Sequence, residues 1–371
     1  MRWSPSEEQD ELRRTVRRFL EEKSPVTEVR RLMETREGYE PSVWKQLSQE
    51  LGLPGVHVPE AYGGQGLGFA ELGIVLEEMG RALLCAPYFS SVVLAANAIL
   101  NAGSESQKQE LLPGIAAGET LATLAVAEPK GRWDAGGIAL EARPEGSGFR
   151  LHGEKSFVTD GASAQLLVVA ARGPAGIGLF HLRADSESVE RRPLTVVDPT
   201  RKLARLGFKG ARAESLGDPA GGAAALSKTL DQAAAMLANE MVGGAQRLLD
   251  MTVEYAKTRV QFGRPIGSFQ AIKHKCADML MSLELARSSA YYAAGCADES
   301  PDELPAIASL AKAQCSDAYL ELAAEAIQIH GGLGFTWEQD VHLYFKRAKA
   351  SEVLLGDPTY HRELLARRWG I

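Results

Sequence analysis

Apolar residues recur every three to four positions through the first third of the chain, which is the spacing of amphipathic helices. Leu12, Val16 and Leu20 share one helical face, and Ser4 is predicted to cap this helix with Pro5 in its first turn. Similar patterns recur on either side of a glycine-rich loop over 61–68, at 41–51, 71–81, 91–102 and 105–117. Together they predict an N-terminal helical domain over residues 1–119.

The period of the pattern changes near residue 120. Short stretches rich in apolar and β-branched residues follow, separated by glycine, proline and aspartate. They predict strands at Leu121–Ala127, Phe149–His152, Leu166–Ala171, Gly178–Leu182 and Leu194–Val197. Short strands at this spacing indicate a β-sandwich or barrel, which we expect to occupy residues 120–217.

A glycine-rich stretch at 217–222 separates this β domain from three long helical patterns, near 224–257, 268–297 and 302–330. Charged residues interrupt all three patterns, as in a helix bundle that faces water. We therefore predict an α+β fold whose C-terminal domain, residues 218–371, resembles a four-helix bundle.

Composition narrows the classes of function. The 371 residues carry a net charge of −7, which argues against a nucleic-acid partner because such proteins present concentrated positive charge. No apolar run approaches the roughly 18 residues that a membrane-spanning helix needs, so we expect no membrane partner. The four cysteines are scattered and the histidines lack metal-ligand spacing, so we expect neither a disulfide framework nor a metal site. With no signal-peptide pattern at the N-terminus, we expect a cytoplasmic protein.

Two segments gather residues suited to a phosphorylated, aromatic ligand. The segment 259–270 reads R-V-Q-F-G-R-P-I-G-S-F-Q and joins two predicted helices. It offers guanidinium, amide and aromatic groups beside a helix start, which suit a pyrophosphate and a flat ring; an ordinary turn with an exposed arginine is the alternative. The segment 328–335, Q-I-H-G-G-L-G-F, ends a helix on glycines whose bare backbone can lie against a ligand. A plain glycine cap is the alternative there.

Together these two segments resemble the acyl-CoA dehydrogenase family, and the resemblance covers nearly the whole chain. Glu128-Pro129 is similar to the family's T-E-P turn, and F-V-T-D-G at 157–161 is similar to its W-I-T-N-G strand. The resemblance implies FAD at a subunit interface of a tetramer, with Phe157 and Thr159 against the isoalloxazine ring. It also implies that Asp357 accepts a hydrogen bond from the ribose. It further implies that a third set of residues contacts the pyrophosphate and adenosine part of a neighbouring subunit's FAD: Arg259, Gln261, Phe262, Ile266, Phe269, Gln270, Gln328, Gly331 and Gly332.

The implied reaction is the α,β-dehydrogenation of an acyl-CoA thioester to the trans-2-enoyl-CoA, which needs a carboxylate to take the α-proton. The family's two positions for that base are Leu355 and Ala233 here, and neither side chain can accept a proton. Glu240 lies seven residues after Ala233, on nearly the same helical face and about 10 Å along the axis. We predict that Glu240 acts as the catalytic base; a structural glutamate is the alternative.

Three hypotheses follow from the missing base. In the first, the chain is an acyl-CoA dehydrogenase that uses Glu240 and passes electrons to an electron-transfer flavoprotein or another acceptor, as a homo- or hetero-oligomer. In the second, it is a non-catalytic FAD-binding subunit of a heterotetramer, similar to chains of some actinobacterial relatives. In the third, it is a flavin monooxygenase of the same fold. We favour the first, because the family's motifs cover the chain and Glu240 offers a chemical route.

Overall fold

The first helix begins with a reciprocal cap. The amide of Gln9 donates to the Ser6 hydroxyl oxygen at 3.2 Å, and the amide of Ser6 donates to the Gln9 side chain at 3.0 Å. This cap starts the helix at Glu7 in the computed structural model, which describes residues 6–185 and 187–371. The predicted cap, Ser4 with Pro5, lies outside the described residues.

Helices dominate both ends of the described chain, and strands dominate its middle. The helices are α1 (Glu7–Lys23), α2 (Val26–Met33), α3 (Pro41–Gln49), α4 (Phe69–Arg81), α5 (Asn97–Ala102), α6 (Glu105–Ala116), α7 (Gly222–Thr258), α8 (Gln270–Glu299), α9 (Leu304–His330), α10 (Val341–Val353) and α11 (Pro358–Trp369). The strands are β1 (Ala122–Ala125), β2 (Glu141–Glu145), β3 (Gly148–Thr159), β4 (Leu166–Gly173), β5 (Gly176–Arg183), β6 (Val189–Pro193), β7 (Leu203–Ser215), β8 (Val260–Gln261) and β9 (Arg264–Pro265). A π-helical stretch, Phe89–Ala96, runs into α5.

The chain forms two compact units. The helical unit comprises the described part of Met1–Arg30 together with Phe69–Leu84 and Ala234–Ile371. The barrel unit comprises Arg31–Gly68 and Cys85–Ala233. The predicted α+β class, with helices before and after a β region along the chain, is confirmed. The domain boundaries at 119 and 217 stay a prediction.

The barrel unit is built on a closed circuit of strands. Strand β3 pairs with β2 and β7, β7 pairs with β5, and β5 pairs with β4, all antiparallel. Strand β4 returns to β2 through one parallel pair, Glu141 with Arg172, while β1 and β6 extend the sheet. The predicted strand at Leu194–Val197 is wrong. The neighbouring polar stretch Val189–Pro193 pairs with β7 instead, and the chain leaves the sheet after Pro193.

Aromatic and aliphatic side chains fill the barrel, and one irregularity in its wall prepares the site. Phe180 and Leu206 are fully buried, and Phe149 meets Phe180 edge-on with ring centroids 4.9 Å apart. The pairing of β3 with β7 shifts register between Lys155 and Val158. Such a bulge bends the strand and redirects its side chains, and Phe157 lies inside it.

The helical unit depends on close helix crossings at glycine. A Cβ at Gly80 of α4 would overlap the carbonyl oxygen of Glu240 on α7, and a Cβ at Gly243 would overlap that of Glu77. Gly244 lies against the Tyr319 ring of α9 in the same way. Glycine at these positions therefore lets backbones approach more closely than larger side chains permit.

Candidate functional site

The segment that joins α7 to α8 folds into a short hairpin, which the sequence did not predict. Strands β8 and β9 pair across a turn made by Phe262 and Gly263, whose φ angles are 54° and 77°. Positive φ at both positions is the signature of a type I′ turn, which suits the twist of the flanking strands. The Phe262 side chain is consequently held away from the protein and is 90% exposed.

Charge and aromatic surface lie side by side next to this hairpin. The Arg264 guanidinium lies 4.1 Å from the centroid of the Phe269 ring, and the Phe262 ring meets Phe269 edge-on at 6.2 Å. Ile266 and Phe269 are half-buried, and Ile266 is tied back by its amide, which donates to the Arg259 carbonyl at 2.8 Å. The polar residues that the sequence singled out here, Arg259, Gln261 and Gln270, are exposed.

A ring stack brings the glycine segment next to the hairpin. Tyr255, one turn before Arg259, stacks on His330 at the end of α9, with ring centroids 4.2 Å apart. Beyond His330, Gly331 has a φ of 62°, and a Cβ on Gly331 or Gly332 would meet no atom within 4 Å. With Gln328 also exposed, the two predicted segments share one surface with open backbone at the glycines.

In the barrel unit, Phe157 and Thr159 lie at the bulge of β3. Phe157 has a φ of 57° and is 40% exposed, whereas Thr159 is buried. The Thr123 hydroxyl donates to the Thr159 carbonyl at 2.6 Å, and the Ser90 hydroxyl donates to Asp160 at 2.7 Å. The first bond fixes the backbone just after Phe157, and the second holds the Asp160 side chain. The Phe157 ring is left accessible to a flat ligand.

A buried lysine that the sequence reasoning missed anchors the same stretch. Lys155 is fully buried and donates to the Val126 carbonyl at 2.8 Å and to Glu128 Oε1 at 3.0 Å. Glu128 also accepts from the amides of Ala139 and Leu140. Burial lowers the pKa of Lys155 to about 8, and the Glu128 carboxylate opposes that fall.

The loop after α10 carries two positions that the sequence singled out. Leu355, at the first of the two positions for a base, has a φ of 63° and is buried. Asp357 is exposed and caps α11, because its Oδ1 accepts the amide of Tyr360 at 2.8 Å. The other carboxylate oxygen of Asp357 has no partner among the described residues.

Glu240 and Arg347 form a buried ion pair in the helical unit. Arg347 Nη1 donates to Glu240 Oε1 at 2.8 Å, and the two side chains are 4% and 7% exposed. Glu240 is therefore buried beside a cation that the sequence reasoning missed. Arg347 lies on α10, for which we predicted no helix. Ala233, the second position for a base, is fully buried and apolar.

The residues present fit a dinucleotide with a flat ring system. In the barrel unit, Phe157 displays an aromatic ring from a position held at positive φ. In the helical unit, Phe262 does the same, and the Arg264 guanidinium lies over the neighbouring Phe269 ring. The open backbone at Gly331 and Gly332 permits close approach of a ligand. Arginine and exposed backbone N–H groups are the usual partners of a pyrophosphate.

Family comparisons match both ends of the chain. The family model for the acyl-CoA dehydrogenase N-terminal domain matches residues 6–119, and the model for the C-terminal domain matches residues 220–370. The chain belongs to the acyl-CoA dehydrogenase family. Members of this family are FAD-dependent flavoprotein oxidoreductases.

Three relatives illustrate the likeness. The chain is 36% identical over 365 residues to acyl-CoA dehydrogenase IpdE2 of Mycobacterium tuberculosis, covering 98% of this chain and 97% of that one. It matches a solved variant of the steroid ACAD Tcur3481–Tcur3483 with a TM-score of 0.89 and 32% identity, covering 98% of each chain. It matches the ChsE4–ChsE5 complex from Mycobacterium tuberculosis with a TM-score of 0.91 and 28% identity, covering 100% of this chain and 99% of that one.

The described residues also show what the chain has in the way of membrane helices, metal ligands and thiols. No helix within residues 6–185 and 187–371 has the length and apolar character to cross a membrane. In the same residues, no group of three or more histidine, cysteine, aspartate or glutamate side chains is arranged to hold a metal ion. Cys85, Cys276, Cys296 and Cys315 are all free thiols.

Proposed function

We propose that this chain serves the FAD-dependent α,β-dehydrogenation of an acyl-CoA thioester to the trans-2-enoyl-CoA. In this proposal it is the FAD-binding subunit of a two-chain assembly, and the partner chain carries the base. The observation that carries the proposal is the pairing of Glu240 with Arg347, at 2.8 Å and buried on both sides. Leu355 and Ala233 occupy the two positions where the family resemblance would place a base.

The chemistry explains why the missing base matters. The reaction removes a proton from the α-carbon of the acyl group and a hydride from the β-carbon, leaving a carbon–carbon double bond. When FAD is bound, it accepts the hydride. The α-proton is weakly acidic, so a correctly placed carboxylate must take it. The side chains of leucine and alanine have no lone pair with which to do so.

Glu240 is poorly suited to be that carboxylate. If it took a proton, its buried ion pair with Arg347 would be lost, and breaking a buried pair costs about 3–5 kcal/mol. The competing hypothesis, in which Glu240 takes the α-proton in a working homo-oligomer, is supported by the burial of Glu240. The two hypotheses make opposite predictions for Glu240→Gln.

The proposed FAD contacts differ in the part of the cofactor that they touch. Phe157 and Thr159 would contact the isoalloxazine ring, the first by its exposed face and the second by hydrogen bonding. Asp357 would use its second carboxylate oxygen on the ribose. The pyrophosphate and adenosine part of a neighbouring subunit's FAD would contact Arg259, Gln261, Phe262, Ile266, Phe269, Gln270, Gln328, Gly331 and Gly332.

The names of two solved relatives support a two-chain assembly. The steroid ACAD Tcur3481–Tcur3483 and the ChsE4–ChsE5 complex each join two differently named chains. We propose that this chain pairs likewise with a second, base-bearing family member. An electron-transfer flavoprotein or another acceptor would then remove the electrons from the reduced flavin.

Anaerobic titration with a panel of acyl-CoA thioesters tests the proposal by flavin absorbance. We expect no bleaching of the FAD-loaded chain alone, and bleaching after co-purification with a family member encoded nearby. In that complex, Glu240→Gln should change the bleaching rate no more than about twofold, as should Glu254→Gln, an exposed glutamate on the same helix. Bleaching of the chain alone that Glu240→Gln abolishes and Glu254→Gln spares would establish Glu240 as the base. Oxygen-dependent turnover of supplied reduced flavin, without bleaching by any thioester, would favour a monooxygenase.

A further inference from the structure

A second buried lysine lies in the helical unit, at the loop that follows α10. Lys312 of α9 is fully buried, and its ammonium group donates to the carbonyls of Glu352 at 3.0 Å and Gly356 at 2.9 Å. Its third bond, at 3.1 Å, goes to the Ser316 hydroxyl on its own helix. Removing an ammonium group from water costs several kcal/mol, so an apolar side chain would serve the stability of α9 better.

The loop that Lys312 holds is itself strained. Leu355 adopts a left-handed conformation that costs a non-glycine residue about 1–2 kcal/mol, and such conformations persist only where the surroundings impose them. Gly356 is required because a Cβ there would overlap the Tyr360 ring. His361 Nε2 donates to the Leu355 carbonyl at 3.1 Å. Two consecutive carbonyls of the loop, at 355 and 356, therefore accept from buried side chains.

We infer that Lys312 is a positioning residue whose ammonium group fixes the loop 354–357 in the conformation that presents positions 355 and 357 to the acyl thioester and the FAD. This inference rests on the proposed function, because it assigns the loop to the same site. The contacts separate the role from simple helix packing. Arg368 joins α11 to α9 at a different place, through the Pro305 carbonyl and the Ser309 hydroxyl.

The test compares FAD affinity across matched variants. The purified protein is stripped of FAD and titrated with it, with binding read from the quenching of flavin fluorescence. In Lys312→Met the loop loses its charge-assisted hydrogen bond at the Gly356 carbonyl, and the adjoining end of α10 loses the one at the Glu352 carbonyl. We expect the Kd for FAD to rise at least about tenfold. Lys312→Gln, which is shorter but keeps an amide donor, should show a smaller rise and serves if the first variant folds poorly.

Two controls separate positioning from folding. Ser316→Ala removes only the acceptor that lies on α9 itself, and Arg368→Met removes a cation that joins α9 to α11 elsewhere. Both should leave the Kd for FAD within about twofold of the wild type, whatever they do to the thermal midpoint. If the folded Lys312 variants bind FAD as tightly as the wild type, or if Arg368→Met weakens binding equally, the inference is overturned. If the wild type binds no FAD, the proposed function fails first.

Discussion

The bulge of β3 in the barrel unit and the loop 354–357 in the helical unit each hold a non-glycine residue at positive φ beside a buried lysine. The electrostatic surroundings of the two lysines differ. In the barrel unit, Phe157 follows Lys155, whose ammonium group is paired with Glu128 at 3.0 Å. In the helical unit, Leu355 lies beside Lys312, which bonds only to carbonyls and a hydroxyl among the described residues. Burial lowers the pKa of both amines, to about 8 for Lys155 and about 7 for Lys312.

The different partners of the two lysines suggest different roles for the two residues at positive φ. A carboxylate offsets the burial of a charge better than neutral carbonyls do. The buried lysine therefore stabilises the bulge of β3 more than Lys312 stabilises the loop 354–357. The bulge displays its side chain, because Phe157 is 40% exposed, whereas the loop of the helical unit encloses Leu355, which is 3% exposed. We therefore expect substitutions at the bulge of β3 to change the free energy of unfolding. Substitutions at the loop 354–357 should change the rate of flavin reduction.

The largest expected effect comes from changing the enclosed side chain. Leu355→Glu would place a carboxylate on the loop that Lys312 and His361 hold. We expect acyl-CoA to bleach the FAD-loaded chain alone about 10²- to 10⁴-fold faster in Leu355→Glu than in Leu355→Gln, which is the range that a general base contributes. Anaerobic stopped-flow absorbance measures both rates. Equal rates in two variants that both retain FAD would show that this loop is no longer shaped for catalysis.

The paired lysine provides the next largest effect. Lys155→Met leaves the Glu128 carboxylate, which is 13% exposed, with backbone amides as its only partners among the described residues. We expect the free energy of unfolding to fall by about 3 kcal/mol, as measured by urea denaturation. In Lys155→Met/Glu128→Gln, about 1–2 kcal/mol of that loss should return, because the unpaired charge is gone. Strict additivity of the two single losses would mean that the pair contributes nothing.

The sequence predicted those helices and strands in which apolar residues recur regularly over most of the element. Helices α1 and α9 and strands β4 and β5 lie where the pattern placed them. It missed β7, because charged residues at alternate positions face outward along that strand. It also misplaced β6, because the apolar stretch Leu194–Val197 is more strand-like than the polar residues that form the edge.

In the candidate site, too, some residues could be predicted from the sequence and others could not. Motif positions on exposed turns were predictable, since Phe262 and Gly331 are set by short local patterns. The buried cations were not, because each is explained only by a distant partner. Arg347 meets Glu240 across 107 positions of sequence, and Lys312 meets the Gly356 carbonyl across 44. Lys312 is the one lysine or arginine of α9, and that isolation is a signal of a distant contact. Arg347 gives no such signal, because Lys346 and Lys349 lie beside it on α10.

The unpaired lysine should make stability depend on pH. The folded protein holds the pKa of Lys312 at about 7, below the ordinary value of 10.5, so between those values the unfolded chain binds a proton that the folded chain does not. The free energy of unfolding therefore rises with pH in this window. Between pH 7 and 9 we expect the wild type to gain about 2 kcal/mol relative to Lys312→Met, measured by urea denaturation.

Other titratable groups lie near Lys312 and bear on the comparison between the wild type and Lys312→Met. Cys315 and Asp317 on α9, Glu352 on α10, Asp357 in the loop and His361 on α11 face its charge. Burial raises the pKa of Cys315 to about 12 and lowers that of His361 to about 3, so both stay neutral between pH 7 and 9. The contribution of Lys155 is common to both proteins and cancels. Parallel pH profiles would show that Lys312 does not titrate in this range.

We expect the smallest effect at Phe262, an exposed residue at positive φ in the hairpin turn. Phe262 is 90% exposed at a φ of 54°, so its side chain contributes little packing while its backbone is disfavoured. Phe262→Asn creates the Asn-Gly pair that type I′ turns prefer, and we expect thermal unfolding of the FAD-free protein to show a gain of about 0.5–1 kcal/mol. The same variant should bind FAD more weakly, because the ring is lost. Leu355→Asn, at a similar φ but with a buried side chain, should instead lose about 2–3 kcal/mol. A loss at both positions would mean that exposure does not decide what a strained residue contributes.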